Sequence, residues 1–216
     1  MIEAAIWFRD SSKPWKNIDS AGTRKLGCLL EKGNILIAGC GYIGKPLGLT
    51  LAAQGHSVWG IRRDPAPLPE PIQTISADLG ALPPLPVDFD YVFYTAGAKE
   101  FTPEAYRRTY VTHLAGLAAR LANQHRAPKR LFFTSSTGVY HQQDGAWVDE
   151  DSPTWPASFS GQLLLEGEAE LVNAPFPTTV VRLGGIYGPE RTRLIQELGS
   201  GKARLSNKSS YLNLVH

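Results

Sequence analysis

One stretch, IAGCGYIGKPLG at residues 37–48, limits the folds open to this chain more than any other. It joins a short apolar run, 34–40, to a helix-like run, 42–54, and places Gly39, Gly41 and Gly44 in a G-x-G-x-x-G pattern. The first glycine permits a tight turn, the second lets the backbone approach a pyrophosphate, and the third lets the helix pack close to the strand. The pattern predicts a dinucleotide-binding turn. A purely structural glycine turn is the alternative.

The rest of the chain continues the alternation of strand and helix. Further apolar runs that predict strands lie at 56–63, 72–79, 90–97, 130–136 and 178–185. Helix-like runs lie at 103–124 and 160–173. Continuous apolar strands separated by helices are typical of parallel sheets that are buried on both faces. The predicted fold class is therefore α/β, a Rossmann-like doubly wound parallel sheet with helices on both faces.

The ends of the predicted strands supply the other candidate cofactor-binding residues. A strand that binds the ribose of NAD ends in an acid, but here it ends in Arg62 and Arg63. A guanidinium grips a 2′-phosphate that an acid would repel, so these arginines favour NADP over NAD. A solvated basic turn is the alternative. The remaining candidates lie within the glycine turn or close the next two strands: Tyr42, Ile43, Asp78, Leu79, Ala96 and Gly97.

Charge and composition exclude several classes of partner. The net charge is +2 and there is no long basic run, so neither nucleic acid nor an anionic membrane is expected, and a small-molecule substrate is. No apolar run reaches the roughly 20 residues that span a bilayer. Two cysteines favour a reducing, cytoplasmic compartment, and the histidines show no metal-ligand spacing. A homodimer is one candidate for the oligomeric state.

Four segments carry a resemblance to a known family: GCGYIG, FFTSSTGVY, DEDSP and RLGGIYGPER. Over about residues 34–216 the chain resembles the extended short-chain dehydrogenase/reductases, also called the NAD-dependent epimerase/dehydratase family. The family motif S-S-x-x-V-Y-G implies that Ser136, four residues before Tyr140, is the serine that hydrogen-bonds the reacting substrate oxygen. The resemblance also implies binding of a nicotinamide dinucleotide.

The tyrosine and lysine of the family's Y-x-x-x-K motif are missing. If Glu166 is the glutamate that follows this motif, the two positions are Ser158 and Gln162. In this respect the chain resembles the atypical YeeZ-like subgroup, which lacks the tyrosine. Tyr140 and His141 are candidates for a substitute acid or base near Ser136. In the alternative arrangement Tyr140 packs beneath the substrate loop and His141 faces water.

The resemblance also suggests a division of the chain and two functions. Residues 1–33 show no periodicity and are interpreted as an appended or loosely ordered segment, 34–190 as the NAD(P)-binding domain, and 191–216 as the start of an incomplete substrate-binding region. Arg182 and Arg191 are candidates for binding an anionic substrate, with pairing to Glu190 as the alternative. The first function is an oxidoreductase or epimerase for a small carbonyl or alcohol, such as a sugar derivative. The second is a non-catalytic NADP(H)-binding redox sensor or partner-binding module.

Overall fold

A computed structural model describes residues 7–10, 30–142, 145–192, 196, 199–200 and 213–216. Most of the segment 1–33 lies outside these residues, as do 193–195, 197–198 and 201–212 of the predicted substrate-binding region. No helix in the described part of the chain is long and apolar enough to cross a membrane.

The elements follow the predicted alternation. The main sheet contains β1 (Trp7–Asp10), β2 (Asn34–Ala38), β3 (Ser57–Arg62), β4 (Gln73–Ser76), β5 (Tyr91–Tyr94), β6 (Arg130–Ser136) and β7 (Thr178–Leu183). A small second sheet pairs β8 (Gly185–Ile186) with β9 (Leu214–Val215). The α-helices are α1 (Gly44–Ala53), α2 (Pro103–Tyr106), α3 (His113–Ala122) and α4 (Phe159–Val172).

The order of the strands places a crevice in the middle of the main sheet. The order is β1-β7-β6-β5-β2-β3-β4, and β2 to β7 are parallel. The chain runs outward from β2 through β3 to β4 and then returns to β5 on the other side of β2. Ligands of such sheets bind where the strand order reverses, outside the carboxyl ends of the strands. The predicted six-stranded parallel sheet is confirmed, and its switch point lies between β2 and β5.

The core explains why the strands read as continuous apolar runs. On β2, Leu36 and Ala38 pack into one buried cluster, together with residues of α3 and α4. Ile35 and Ile37 pack into a second cluster, on the face covered by α1. All four are fully buried. Because successive side chains of a strand point to opposite faces, a sheet covered on both sides needs apolar residues at every position.

One strand of the main sheet was not predicted. β1 lies within the segment 1–33 and pairs antiparallel with β7 at the edge of the sheet, with Trp7 opposite Arg182. Its four residues, WFRD, are too few to show the alternation by which a strand is recognised. The edge of a sheet therefore recruited a segment whose own sequence carries no strand signal.

The helical region 103–124 is divided into three parts. Thr102 caps α2, because its side chain accepts a hydrogen bond from the Ala105 amide. After α2 the chain forms a π-helix, Arg107–Thr112, and then α3. α4 packs closely on the π-helix at Gly167, where a Cβ atom would lie 2.2 Å from the Tyr110 carbonyl oxygen. π-Helical turns are rare in proteins, and those that occur are often found at functional sites. The wider turn begins at the wall of the crevice.

Candidate functional site

A cavity of about 990 Å³ lies at the carboxyl edge of the main sheet. It brings together most of the residues that the sequence predicted: Gly39, Gly41, Tyr42, Ile43, Arg62, Arg63, Asp78, Leu79, Ala96, Gly97 and Ser136. Gly44 and Tyr140 do not line it, and neither do the candidates His141 and Arg182. The cavity also contains charged and aromatic residues for which no role was predicted, among them Lys45, Lys99, Tyr106, Arg108, Tyr110 and His113.

The three glycines of the turn have surroundings that allow the three predicted tasks. Gly39 has φ +86°, and a Cβ atom there would lie 2.3 Å from the Ala96 Cα atom. A Cβ atom on Gly41 would meet open space, with its nearest neighbour 3.9 Å away. At Gly44 a Cβ atom would lie 2.8 Å from the Ile37 side chain. Gly44 therefore packs the helix on the strand and does not itself face the cavity.

The N-terminus of α1 is open towards the cavity. No side chain caps it, and no acidic residue lies in its first turn. The backbone N–H groups of Tyr42 and Ile43, both in the cavity lining, find no acceptor in the described part of the chain. Uncapped N–H groups and the helix dipole together make a favourable site for an anion. Lys45 adds a full positive charge at the same place.

The arginines after β3 have different surroundings. The Arg62 guanidinium pairs with the Asp64 carboxylate, and the Arg62 side chain is only 19% exposed. Arg63 is exposed and lines the cavity without a carboxylate partner in the described residues. Sequence analysis missed Asp64. A cation and an acid therefore both stand near the place where a ribose 2′ substituent would lie.

Asp78, a predicted cofactor-binding residue in the loop after β4, lies beside His113, the first residue of α3. Asp78 accepts a hydrogen bond from the Gly80 amide at 2.8 Å, and its carboxylate lies 3.7 Å from His113 Nε2. Burial lowers the pKa of His113, against the opposing effect of Asp78. No role was predicted for His113, because the histidines of this chain show no metal-ligand spacing.

Ser136 stands at the end of β6 with its hydroxyl hydrogen available. Its oxygen accepts a hydrogen bond from the Gly138 amide at 3.1 Å, which begins the 3₁₀ turn Thr137–Val139. No described residue accepts the hydroxyl hydrogen. Ser136 can therefore donate to an oxygen of a bound molecule, as the family resemblance implies.

The two positions predicted to replace the missing tyrosine and lysine lie outside the cavity lining. Ser158 caps α4 by accepting from the Gly161 amide, and Gln162 donates to the Pro156 carbonyl; neither lines the cavity. The helix instead presents Ser160 and Leu164 to the cavity, at the same spacing of four residues. Ser160 and Leu164 are therefore a second pair of candidates for the two family positions. At these positions, too, the chain has neither tyrosine nor lysine.

Tyr140 belongs to a polar network behind the cavity. Its hydroxyl donates to the Asp149 carbonyl at 2.8 Å and accepts from Arg182 Nη1 at 2.9 Å. Burial raises the pKa of Tyr140. With both hydrogen-bonding functions of its hydroxyl in use, Tyr140 has no group directed at the cavity. His141 is exposed and lies beside Trp155.

Arg182 does not bind a substrate from where it lies. It forms a two-pronged pair with Glu168, Nε to Oε1 at 3.1 Å and Nη2 to Oε2 at 2.6 Å, and both residues are over 90% buried. Ser135 donates to the same carboxylate at 2.6 Å. The sequence did not reveal this network because its members lie on β6, β7 and α4.

Two tyrosines of the cavity wall, Tyr106 and Tyr110, lie in surroundings that do not lower their pKa. Burial raises the pKa of Tyr106 and of Tyr110 above that of free tyrosine. Tyr110 also accepts a weak hydrogen bond from the Ala98 amide at 3.4 Å. A tyrosine that works as an acid or base near neutral pH needs its pKa lowered by a neighbouring cation. Neither side chain has that environment.

The loop after β8 closes the far end of the cavity. The Arg191 guanidinium lies 4.5 Å from the centre of the Tyr42 ring, a cation–π contact. Arg191 and Glu190 form no ion pair, contrary to the alternative considered from the sequence. Glu190 has φ +64°, the only positive φ among the described residues other than glycine.

We expect Glu190→Gly to raise the free energy of unfolding by about 1 kcal/mol, because a Cβ atom disfavours this left-handed conformation. Thermal or denaturant unfolding measures the change. Glu190→Ala is the matched control: it removes the same carboxylate but keeps the Cβ atom, so it should not gain stability. An equal gain in both variants would show that charge, and not backbone strain, is relieved.

Three proteins of known sequence or structure are similar to this chain. Protein YeeZ of Escherichia coli K12 is 31% identical over 179 residues, which cover 73% of this chain and 60% of YeeZ. A solved structure from Methylobacillus flagellatus, described as a putative NAD-dependent epimerase/dehydratase, is 36% identical with a TM-score of 0.66 and is matched over 80% of this chain and 61% of its own. MoeE5, solved with UDP-glucose and NAD, is 26% identical with a TM-score of 0.65, over 76% and 60%.

The matches extend over only part of each relative. This chain spans about 60% of the length of YeeZ and of the two solved structures. No family model matches the sequence.

Proposed function

We propose that this chain, which belongs to the NAD-dependent epimerase/dehydratase family, binds NADP(H) in the cavity and uses it to act on a small carbonyl or alcohol compound. The observation that carries the proposal is the uncapped N-terminus of α1 beside Gly41, where the backbone is open to an anion. MoeE5, a solved relative, contains NAD. A nicotinamide dinucleotide would supply the hydride.

The residues of the cavity fit such a cofactor along its length. Gly41, with the free N–H groups of Tyr42 and Ile43, would hold the pyrophosphate. Asp78 and Leu79 would meet the adenine. Ser136, whose hydroxyl hydrogen is free, would hold an oxygen of the substrate. The chain's own contribution is thus to bind, orient and exclude water.

The second candidate function is NADP(H) binding without catalysis, as a redox sensor or partner-binding module. Ser160 and Leu164 favour it, because a serine hydroxyl is far too weak an acid to replace a tyrosine and leucine brings no charge. The raised pKa values of Tyr106 and Tyr110 favour it as well. The two functions share the cofactor and differ only in turnover.

Turnover separates the two functions. The protein is mixed with saturating NADPH and a panel of aldehydes, ketones and sugar derivatives. If the chain is an enzyme, one of these compounds should accelerate the oxidation of NADPH, and Ser136→Ala should lower that rate. NADPH oxidation that no compound accelerates, in a protein that binds NADPH tightly, would support the sensor. A protein that binds no dinucleotide at all would contradict both functions.

We expect the chain to bind NADPH more tightly than NADH, with Arg63→Asp narrowing or reversing the difference. A charged hydrogen bond to the 2′-phosphate is worth about 1.5–3 kcal/mol, which corresponds to at least about a tenfold ratio of dissociation constants. Calorimetric or fluorescence titration measures both constants. NADH affinity is the internal control, since NADH lacks the phosphate. Equal affinities in the unsubstituted protein would show that the arginines face solvent.

A further inference from the structure

Two arginines line the cavity from elements on either side of β2, because β3 is its neighbour on one side and the π-helix follows β5, its neighbour on the other. Arg63 follows β3, and Arg108 is the second residue of the π-helix. Both positive charges act on the His113 imidazole and contribute to lowering its pKa, after the larger effect of burial. His113 itself lies 3.7 Å from Asp78, which would meet the adenine of the proposed cofactor. Arg63 and Arg108 line the same cavity as these two residues, so both cations belong to the surroundings of the proposed adenosine site.

The other arginines nearby are already paired. Arg62 pairs with Asp64, and Arg107, the neighbour of Arg108, pairs with Glu166 of α4 away from the cavity. Within the ranges that the structure describes, no carboxylate pairs with Arg63 or Arg108. Arg191 also lines the cavity without a carboxylate partner in the described ranges, but it lies against the Tyr42 ring. Arg63 and Arg108 are thus the described cavity arginines available to an added anion at the other end.

We propose that Arg108 is a specificity-determining residue that binds, together with Arg63, the ribose 2′-phosphate of NADP(H). The inference rests on the proposed cofactor. A phosphate monoester carries a charge of about −1.5 to −2 near neutral pH, which one guanidinium does not balance. Cations on two walls balance it and also close the adenosine end of the cavity. The π-helix supports the inference because its wide turn presents Arg108, Thr109 and Tyr110 to one cavity.

Arg108→Met and Arg107→Met form a matched pair of variants. The two arginines are adjacent in the same π-helix. Each variant removes one guanidinium group and keeps a long, unbranched side chain. The probes are NADPH, NADH, adenosine 2′,5′-bisphosphate and AMP, titrated by calorimetry. The last two lack nicotinamide, so they report on the adenosine end alone. Circular dichroism and thermal unfolding verify that both variants are folded.

Arg108→Met should raise the dissociation constants of NADPH and adenosine 2′,5′-bisphosphate by about tenfold or more. The dissociation constants of NADH and AMP should change less than about twofold. Arg107→Met should change none of the four. Equal weakening of NADPH and NADH would overturn the inference, because Arg108 would then contact a part that both cofactors share. Unchanged binding of all four would overturn it too. If the unsubstituted protein bound neither dinucleotide, the proposed function itself would fall, and the inference with it.

Discussion

The double variant Ser160→Tyr with Leu164→Lys should reduce small carbonyl compounds with NADPH about 10²- to 10⁴-fold faster than the unsubstituted chain, the usual contribution of a positioned general acid. Ser158→Tyr with Gln162→Lys should leave the rate unchanged. The two variants introduce the same residues at the same spacing, two positions apart on α4. They differ in the direction of the side chains.

The expected difference follows from which face of α4 meets the cavity. Ser160 and Leu164 line the cavity with Ser136, whereas Ser158 and Gln162 make capping contacts outside it. A lysine four residues after the tyrosine, on the cavity side, lowers the tyrosine's pKa from about 10 towards neutral by its charge. Leu164 is 6% exposed, so the lysine costs some stability, which unfolding experiments report.

A second measurement of the same variants needs no substrate. Absorbance of tyrosinate against pH should show one ionisation below about 10 in Ser160→Tyr with Leu164→Lys, and an ordinary one in the control. The native background is favourable, because burial raises the pKa of Tyr94, Tyr106, Tyr110 and Tyr140. Equal tyrosine ionisation and equal reaction rates in the two variants would show that Ser160 and Leu164 are not the family's tyrosine and lysine positions.

The sequence predicts the six parallel strands well and the register of α4 poorly, for a physical reason. A strand buried on both faces is apolar at each position, so β2 is visible from its own residues. Which face of α4 is buried depends on whether Glu166 or Glu168 points towards the sheet. In the structure Glu168 is buried and pairs with Arg182 of β7, a contact between two elements that the periodicity of the sequence does not reveal.

The cofactor residues show the same division. The predicted roles of Gly39, Gly41 and Gly44 lie within one local turn, and the surroundings of the three glycines allow them. Arg108 lies in the π-helix after α2 and His113 directly follows it, and no spacing in the sequence indicated this π-helix. Residues that act within one turn could be predicted, and residues brought together by packing could not.

Glu168→Gln should lower the free energy of unfolding by about 3–5 kcal/mol, because it leaves the Arg182 charge buried without its counter-ion. Burial alone would lower the pKa of Arg182, but the hydrogen bonds and charge of Glu168 hold it above its ordinary value. Denaturant unfolding measures the loss. Glu166→Gln is the control: its carboxylate is 42% exposed and pairs with exposed Arg107, so the loss should be about 0–1 kcal/mol.

A double variant tests whether the loss arises from the unpaired charge. Glu168→Leu with Arg182→Met removes both charges and fills similar space, so it should recover much of the stability that Glu168→Gln loses. Recovery will be incomplete, because Ser135 then loses its acceptor and Tyr140 its donor. A double variant no more stable than Glu168→Gln would show that the shape of the glutamate matters more than its charge. In that case the network would act by packing β6, β7 and α4 together around the end of the strand that carries Ser136.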